Sequence, residues 1–280
     1  MARRKQPSHS LRKFKGTLVL VGAGKMGGAM LDGWLARGLN PKRVVVLEPQ
    51  PAKPVKVLAR RGLCLNQEGK IADAAAIVIA VKPQSAPEAL PPIATYVGKN
   101  TLVLSIMAGR TIAFLEKALS SDAAIVRAMP NTPAAIGRGI TVAVGNRKVA
   151  PRQRKLAGDL LAATGKVEWV TDEQLMDAVT AVSGSGPAYV FLLAECMAKA
   201  GIAAGLPAAL ATTLARETVA GSGELLHRSS LDAATLRQNV TSPGGTTAAA
   251  LEVLMGPGGF DALLTRAIAA ATRRSRELAG

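Results

Sequence analysis

Two short stretches of the chain carry residue types that can do chemistry at close quarters. Gly22-Ala23-Gly24-Lys25-Met26-Gly27 follows the apolar run Thr17 to Val21 and opens a segment of helical character toward Leu35. Glycines at this spacing between a strand and a helix suit a pyrophosphate. The first permits the tight turn, the second lets phosphate oxygens approach the backbone, and the third lets helix and strand pack closely. The free N–H groups and positive end of the helix complete the attraction. Gly22, Ala23, Gly24, Lys25, Met26 and Gly27 are therefore the expected phosphate cradle. Glu48 ends the next apolar run, about 20 residues beyond Gly27, where an acid accepts hydrogen bonds from an adenosine ribose. The second stretch, Thr241-Ser242-Pro243-Gly244-Gly245-Thr246-Thr247, precedes the apolar segment Ala248 to Leu254. It can direct the backbone N–H groups of Gly245, Thr246 and Thr247, with the hydroxyls of Ser242 and Thr247, at one carboxylate or phosphate. Equally, its Ser and Thr can simply cap the helix.

The elements that must position these stretches are legible from periodicity. From Gly16 to about Val170, apolar runs precede helical segments: Thr17 to Val21, Val44 to Leu47, Ile77 to Val81, Leu102 to Ile106, Ile125 to Ala128, Ile140 to Val144 and Val167 to Val170. Most lack polar alternation, as strands covered on both faces do. The pattern predicts an α/β fold with a parallel, Rossmann-type sheet. At its carboxyl edge the strand ends Ala80-Val81-Lys82-Pro83-Gln84 and Ser105-Ile106-Met107-Ala108-Gly109 lie where such sheets present ligands. Ala80, Val81, Lys82, Pro83, Ile106, Met107 and Ala108 are thus expected beside a nicotinamide and its ribose, although an ordinary strand-to-helix turn explains them as well. Glu48 favours NADH, whereas Lys53, Lys56, Arg60 and Arg61 could neutralise the extra phosphate of NADPH, so either coenzyme is expected.

After Val170 the strands stop. Thr171, Asp172, Glu173 and Gln174 read as a capping box, and the chain beyond them is helical and alanine-rich through Leu278, interrupted at Ser183 to Pro187, Gly201 to Pro207 and Ser242 to Gly245. The expected division is a basic tail at 1–15, a dinucleotide domain at 16–171 and an all-helical domain at 172–280. Small side chains such as Ala194, Ala198, Ala203 and Ala211 bury little area each, so the helical core is thin and should be completed by a second subunit.

Composition narrows the chemistry. There are 2 histidines, and His9 lies in the polar N-terminal segment, so His227 alone is left for folded chemistry. Ser-His-Asp hydrolysis and poly-histidine metal sites are thereby disfavoured, and no metal is expected. The 2 cysteines, Cys64 and Cys196, sit in apolar surroundings far apart in sequence and read as buried thiols. Aromatics make up 3%, which argues against base-stacking platforms for nucleic acid. The net charge of +16 is partly local: Arg3, Arg4, Lys5, Arg12, Lys13 and Lys15 precede the first strand without an acid among them, and read as a solvated tail. No apolar run in the sequence approaches the roughly 18 residues that span a bilayer, and no signal-peptide core follows the basic N-terminus, so no membrane partner is expected and the cytoplasm is the expected compartment.

In the order Gly22 to Gly27, Ala80-Val81-Lys82-Pro83-Gln84, Met129-Pro130-Asn131-Thr132-Pro133, Asp177-Ala178-Val179-Thr180, Ser183-Gly184-Ser185-Gly186-Pro187-Ala188-Tyr189 and Val240 to Thr247, the chain resembles the pyrroline-5-carboxylate reductases over nearly everything after Gly16. The resemblance implies a Rossmann domain followed by a helical dimerisation domain, a homo-oligomer with its active site at the subunit boundary, and NADPH or NADH as coenzyme. It implies 1-pyrroline-5-carboxylate as substrate, held through Glu173, Asn239, Ser242, Gly245, Thr246 and Thr247. The family often carries a His-Pro pair in the turn before Leu236, where this chain has Asp232-Ala233. The expected reaction is hydride transfer to an imine carbon, with the Thr247 hydroxyl hydrogen-bonded to the imine nitrogen and orienting the proton. Glu173 either contacts the substrate nitrogen or stabilises the first turn of its helix. Arg127 and Asn131 could support the coenzyme loop. Two other readings are a 3-hydroxyacid dehydrogenase using Lys199 and a coenzyme-sensing regulator that reaches nucleic acid through its basic tail.

Overall fold

The computed structural model describes residues 11–67, 69, 71 and 74–279; Arg3, Arg4 and Lys5 of the basic tail lie outside them. The described residues divide into two compact units, one comprising the chain through Gly184 together with Thr272 onward, the other Ser185–Ala271. The first unit thus extends past the 171/172 boundary expected from the sequence and recovers the end of the chain. Met176, buried at 1% exposure, belongs to the first unit's core. Asp177 accepts a 2.6 Å hydrogen bond from the Ser275 hydroxyl, tying the chain's end to the same unit.

The first unit contains eight strands, β1 (Thr17–Val21), β2 (Val44–Leu47), β3 (Cys64–Leu65), β4 (Ala74–Ile79), β5 (Leu102–Ser105), β6 (Ala124–Met129), β7 (Gly139–Gly145) and β8 (Gly165–Trp169). They form one sheet in the order β3-β2-β1-β4-β5-β6-β7-β8. Pairing is parallel from β3 through β6, and β1 to β4 is the point at which the order reverses, the switch point that presents ligands in open α/β sheets. β7 departs from the expected parallel sheet by running antiparallel to β6. Only residues 130–138, built around the 3₁₀ turn Thr132–Ile136 and the left-handed Gly137 (φ 68°), separate the two strands. A parallel return needs a crossover of about a dozen residues or more, so the short link turns the chain straight back.

Alternation along β1 sends Leu18 and Leu20 to one face and Val19 and Val21 to the other, each 5% exposed or less. Helices cover both faces, which is why the strands read as unbroken apolar runs. α1 (Lys25–Ala36) places Trp34 in the first layer at 0% exposure, with its indole N–H donating to the Leu160 carbonyl at 2.9 Å. Each fully buried side chain of this size contributes about 1.5–3 kcal/mol, provided its polar atom is paired, as here. The remaining helices of the unit are α2 (Lys53–Ala59), α3 (Ala86–Ala94), α4 (Ile112–Ala118), α5 (Pro151–Leu161) and α6 (Met176–Val179). The expected tail is folded at its inner end: Leu11 is 2% exposed, and Phe14 packs against the α1 layer.

The second unit is helical: α7 (Gly186–Ala203), α8 (Ala208–Arg228), α9 (Ala233–Asn239), α10 (Thr246–Met255) and α11 (Phe260–Ala279), the last returning to the first unit at Thr272. Gly201, whose added Cβ would meet Ala211 Cβ at 3.3 Å, lets α7 and α8 approach closely. The unit has almost no core of its own. α7 and α10 bury no residue, and α8 buries only Ala211 and Ala215, while Phe191 (66% exposed), Leu225 and Val253 face outward. Cys196 is exposed on α7 and Cys64 is half-buried, so neither is the buried thiol expected. The helical stretch Glu173–Ala203 is, by length and apolar content alone, sufficient to cross a bilayer, which corrects the expectation that no run approaches that length.

Candidate active site

The glycine turn is built as its spacing predicted. Gly22 has φ +88°, and its N–H donates to the Leu47 carbonyl at 2.9 Å. An added Cβ would lie 2.9 Å from the carbonyl carbon and oxygen of Ala80, which brings the β4 end directly against the turn. At Gly27 an added Cβ would overlap the Gly22 carbonyl oxygen, so α1 can begin this close to the strand only with glycine there. Gly24 has nothing within 4 Å of its absent Cβ, leaving open space above the turn. α1 has no acid in its first turn and no side-chain cap. Its leading N–H groups are therefore free for an anion, with the charge of Lys25 added. These residues fit the pyrophosphate of a nicotinamide dinucleotide. For Gly22→Ala, left-handed strain and the backbone clash with Ala80 should raise the coenzyme KM at least about tenfold, with a stability loss of about 1–3 kcal/mol. Coenzyme titration by protein fluorescence checks this; an unchanged dissociation constant would show that the turn is not the cradle.

Glu48 closes β2 beside the turn. One carboxylate oxygen accepts the Ala23 N–H at 2.8 Å and the other accepts the Gln50 N–H at 3.0 Å. Its backbone is fixed on both sides by Asn66, whose carboxamide oxygen accepts the Glu48 N–H at 2.8 Å and whose amide nitrogen donates to the Glu48 carbonyl at 3.0 Å. Asn66 takes a left-handed conformation (φ 52°), which asparagine tolerates better than most residues. No local pattern marked Asn66; only the β2–β3 pairing brings it there.

The other strand ends line the same edge. The Ala80 N–H donates to the Val21 carbonyl at 2.8 Å and the Ile106 N–H to the Ile79 carbonyl at 3.0 Å, so each ladder runs one residue past its strand. Lys82 precedes the 3₁₀ turn Pro83–Ser85, and its side chain makes no capping bond to it. Pro83 is held by Arg110, whose Nε and Nη2 donate to its carbonyl at 3.3 and 3.1 Å while the guanidinium lies over the Phe114 ring. Met107 is buried, and its N–H donates to the Ser105 hydroxyl at 3.3 Å. Ala108 leads to Gly109 (φ +70°), where an added Cβ would sit 3.3 Å from the Leu278 carbonyl oxygen. The last turn of α11 therefore backs this strand-end turn, a contact the sequence did not disclose.

Glu173 belongs to the first unit, and the other residues expected at the substrate belong to the second. Its Oε1 accepts from Arg127 Nη1 at 2.8 Å and from the Ile112 N–H at 2.9 Å. It thus serves a helix N-terminus, that of α4, rather than its own. The expected capping box is not formed: Asp172 is the cap and accepts from the Gln174 N–H at 2.9 Å. The Asn131 carboxamide oxygen accepts the Ile140 N–H at 2.9 Å and so shapes the β6–β7 turn.

Asn239, Ser242, Gly245, Thr246 and Thr247 come together in the second unit, between the end of α9 and the start of α10. The Gly245 N–H is not available as expected, because it donates to the Ser242 carbonyl at 3.0 Å and closes a tight turn with Gly244 at φ +67°. The amides of Thr246 and Thr247 lead α10, which has no side-chain cap and no acid in its first turn. The turn at Asp232-Ala233, where the resemblance leads one to expect a His-Pro pair, is a well-formed cap: Asp232 accepts from the Thr235 N–H at 2.8 Å and the Thr235 hydroxyl at 3.2 Å. Those bonds hold the Asp232 carboxyl below its usual range. The depressed folded-state pKa means that capping is complete above the ordinary carboxylate range and is lost as pH falls through the folded value. Asp232→Asn, which also caps, should flatten that part of the acid limb, and Asp232→Ala should lower the midpoint at neutral pH. Thermal melts of both variants across pH 3–7 check this; superimposable curves would show that the cap adds no stability. Lys199, the base required by the dehydrogenase reading, is exposed and 3.9 Å from Glu195.

Residues 173–278 match the family model for pyrroline-5-carboxylate reductase dimerisation, and residues 17–109 match that for NADP oxidoreductase, coenzyme F420-dependent. The chain is 42% identical over 266 residues to the pyrroline-5-carboxylate reductase of a Synechocystis species, across 93% of this chain and 97% of that one. The structure of a pyrroline-5-carboxylate reductase from Coxiella burnetii superposes with a TM-score of 0.86 at 33% identity, covering 95% of this chain and 100% of that one. The Plasmodium falciparum pyrroline carboxylate reductase, solved with NADP bound, gives 0.79 at 31% identity over 95% and 99% of the two chains. By sequence and fold together, the chain belongs to the pyrroline-5-carboxylate reductase family.

Proposed function

We propose that the chain reduces 1-pyrroline-5-carboxylate to proline, with NADPH or NADH held on the glycine turn. The observation that carries this reading is a pair of helix heads, α1 and α10, each with no acid in its first turn and no side-chain cap, preceded by turns whose glycines keep the backbone open. One suits a pyrophosphate and the other a single carboxylate. The bound coenzyme supplies the hydride. Gly22 to Gly27 would hold its pyrophosphate, Glu48 its ribose, and Ala80 to Pro83 with Ile106 to Ala108 its nicotinamide half. The amides of Thr246 and Thr247 and the Ser242 hydroxyl would fix the substrate carboxylate, with Gly245 setting the turn and Asn239 bordering it. The Thr247 hydroxyl would hydrogen-bond the ring nitrogen and orient its proton. It acts by placement, since an alcohol is too weak an acid to drive the transfer.

The sparse core of the second unit, together with its match to a dimerisation domain, supports a homo-oligomer in which a second copy covers the outward-facing leucines. The cytoplasm remains the compartment we infer, on the strength of cysteines free of disulfides. Oxidation of NADH and of NADPH, followed at 340 nm with and without 1-pyrroline-5-carboxylate, tests the activity; substrate-independent rates alone would reject it. Light scattering should return at least twice the chain mass.

A further inference from the structure

Much of the excess positive charge lies outside the residues assigned to the reduction. Part of it is built into the fold at the sheet edge opposite the glycine turn. A groove of about 570 Å³ opens there, at the amino ends of β1, β4 and β5, between the segment preceding β1 and the outer face of α5. Lys13, Lys15, Arg152 and Lys155 line it, and Phe14 and Leu156 supply apolar surface. Leu11 and Phe14 anchor the first wall, so Lys13 and Lys15 are held at the groove. Gln153 fixes the second: its carboxamide oxygen accepts the Ala150 N–H at 2.9 Å, and its amide donates to the Asn100 carbonyl at 3.2 Å.

Among the described residues, the charges lining this groove are unbalanced. Its one described carboxylate, Asp159, is 2.7 Å from Lys155. Lys13, Lys15 and Arg152 have no carboxylate partner among the described residues. α5 carries no acid in its first turn, so Arg152 adds a cation to the helix end that is already positive. Such crowding is unfavourable by itself and is relieved by a multivalent anion. The volume lies within the range of small-molecule sites.

We propose that this groove binds a small phosphate-rich anion with an apolar body, of the nucleoside triphosphate class. Lysines and arginine take the phosphates, and Phe14 and Leu156 take the body. The site is separate from the coenzyme turn, because it lies at the other end of the same strands.

ATP and inorganic tripolyphosphate, each titrated by calorimetry into the full-length enzyme saturated with NADPH, test the proposal. ATP should bind with a dissociation constant below about 1 mM and several-fold more tightly than tripolyphosphate. Lys15→Glu with Arg152→Glu, both exposed positions, should weaken ATP at least tenfold while leaving coenzyme KM and the circular dichroism spectrum unchanged. Equal binding of the two anions, loss of ATP binding once NADPH saturates, affinity unaltered in the double variant, or binding of an RNA oligonucleotide but not ATP would each overturn it.

Discussion

Thr247→Ala should lower turnover about 10- to 100-fold with the coenzyme KM unchanged. A hydrogen bond to a charged or charging group is worth about 1.5–3 kcal/mol, and each 1.36 kcal/mol is tenfold in rate. Thr247 occupies the first turn of α10, a helix with no side-chain cap, so its removal sacrifices no capping bond. The effect should therefore appear in catalysis and leave the melting temperature nearly unmoved. Thr247→Ser, which keeps the hydroxyl, should recover most of the rate. Steady-state kinetics with both coenzymes, joined to a thermal melt of each variant, separate the outcomes. An alanine variant with wild-type turnover removes Thr247 from the chemistry, and one with lost turnover but a collapsed melt assigns it to folding.

The largest effect on stability is expected at Glu173. Arg127 is 5% exposed and has Glu173 as its carboxylate partner among the described residues, and the same oxygen takes the Ile112 N–H at the head of α4. Glu173→Ala leaves a guanidinium buried without its counterion and should cost about 3 kcal/mol. For a chain of this size that is a fall of about 6–12 °C in melting temperature. Glu173→Gln retains an acceptor for both donors, so it should lose less. Arg127→Met with Glu173→Met should recover much of the loss, because removing both charges leaves neither unpaired. The substrate contact implied by the family pattern predicts something else: Glu173→Gln raising the KM for 1-pyrroline-5-carboxylate while the melt stays in place. Calorimetric melts and substrate KM on the same preparations decide between them, and an unshifted melt in Glu173→Ala would eliminate the structural role.

Much of the architecture was written locally. Strands covered on both faces must be apolar throughout, so Thr17 to Val21 and its successors announced a parallel sheet. The glycine turn was legible because no other residue can occupy Gly22 with φ +88° or let α1 start against the strand at Gly27. The Gly244-Gly245 turn announced the head of α10 in the same way. Each of these depends on the covalent properties of a few neighbours, which a sequence states outright.

What the tertiary structure decided is what those neighbours meet. The reversal at β7 arose from the length of a link, and β3 was too short, with Cys64 and Leu65 alone, to leave a pattern. Asn66, Arg110 and Leu278 act on the carboxyl edge of the sheet from distant points in the chain, through hydrogen bonds and packing that require faces to be brought together first. Glu173 carries no mark that its partners are Arg127 and Ile112, and the Gly245 amide shows its use only once the turn at Ser242 closes. The segment at Leu11 to Lys15 looked like a solvated tail because charge dominates its composition; two apolar side chains, Leu11 and Phe14, were enough to dock it once the core offered a surface. Composition and spacing determined which ligand chemistry the chain can perform. Long-range pairing, in which burial and satisfied hydrogen bonds outweigh local preference, determined which side chains hold that chemistry in place.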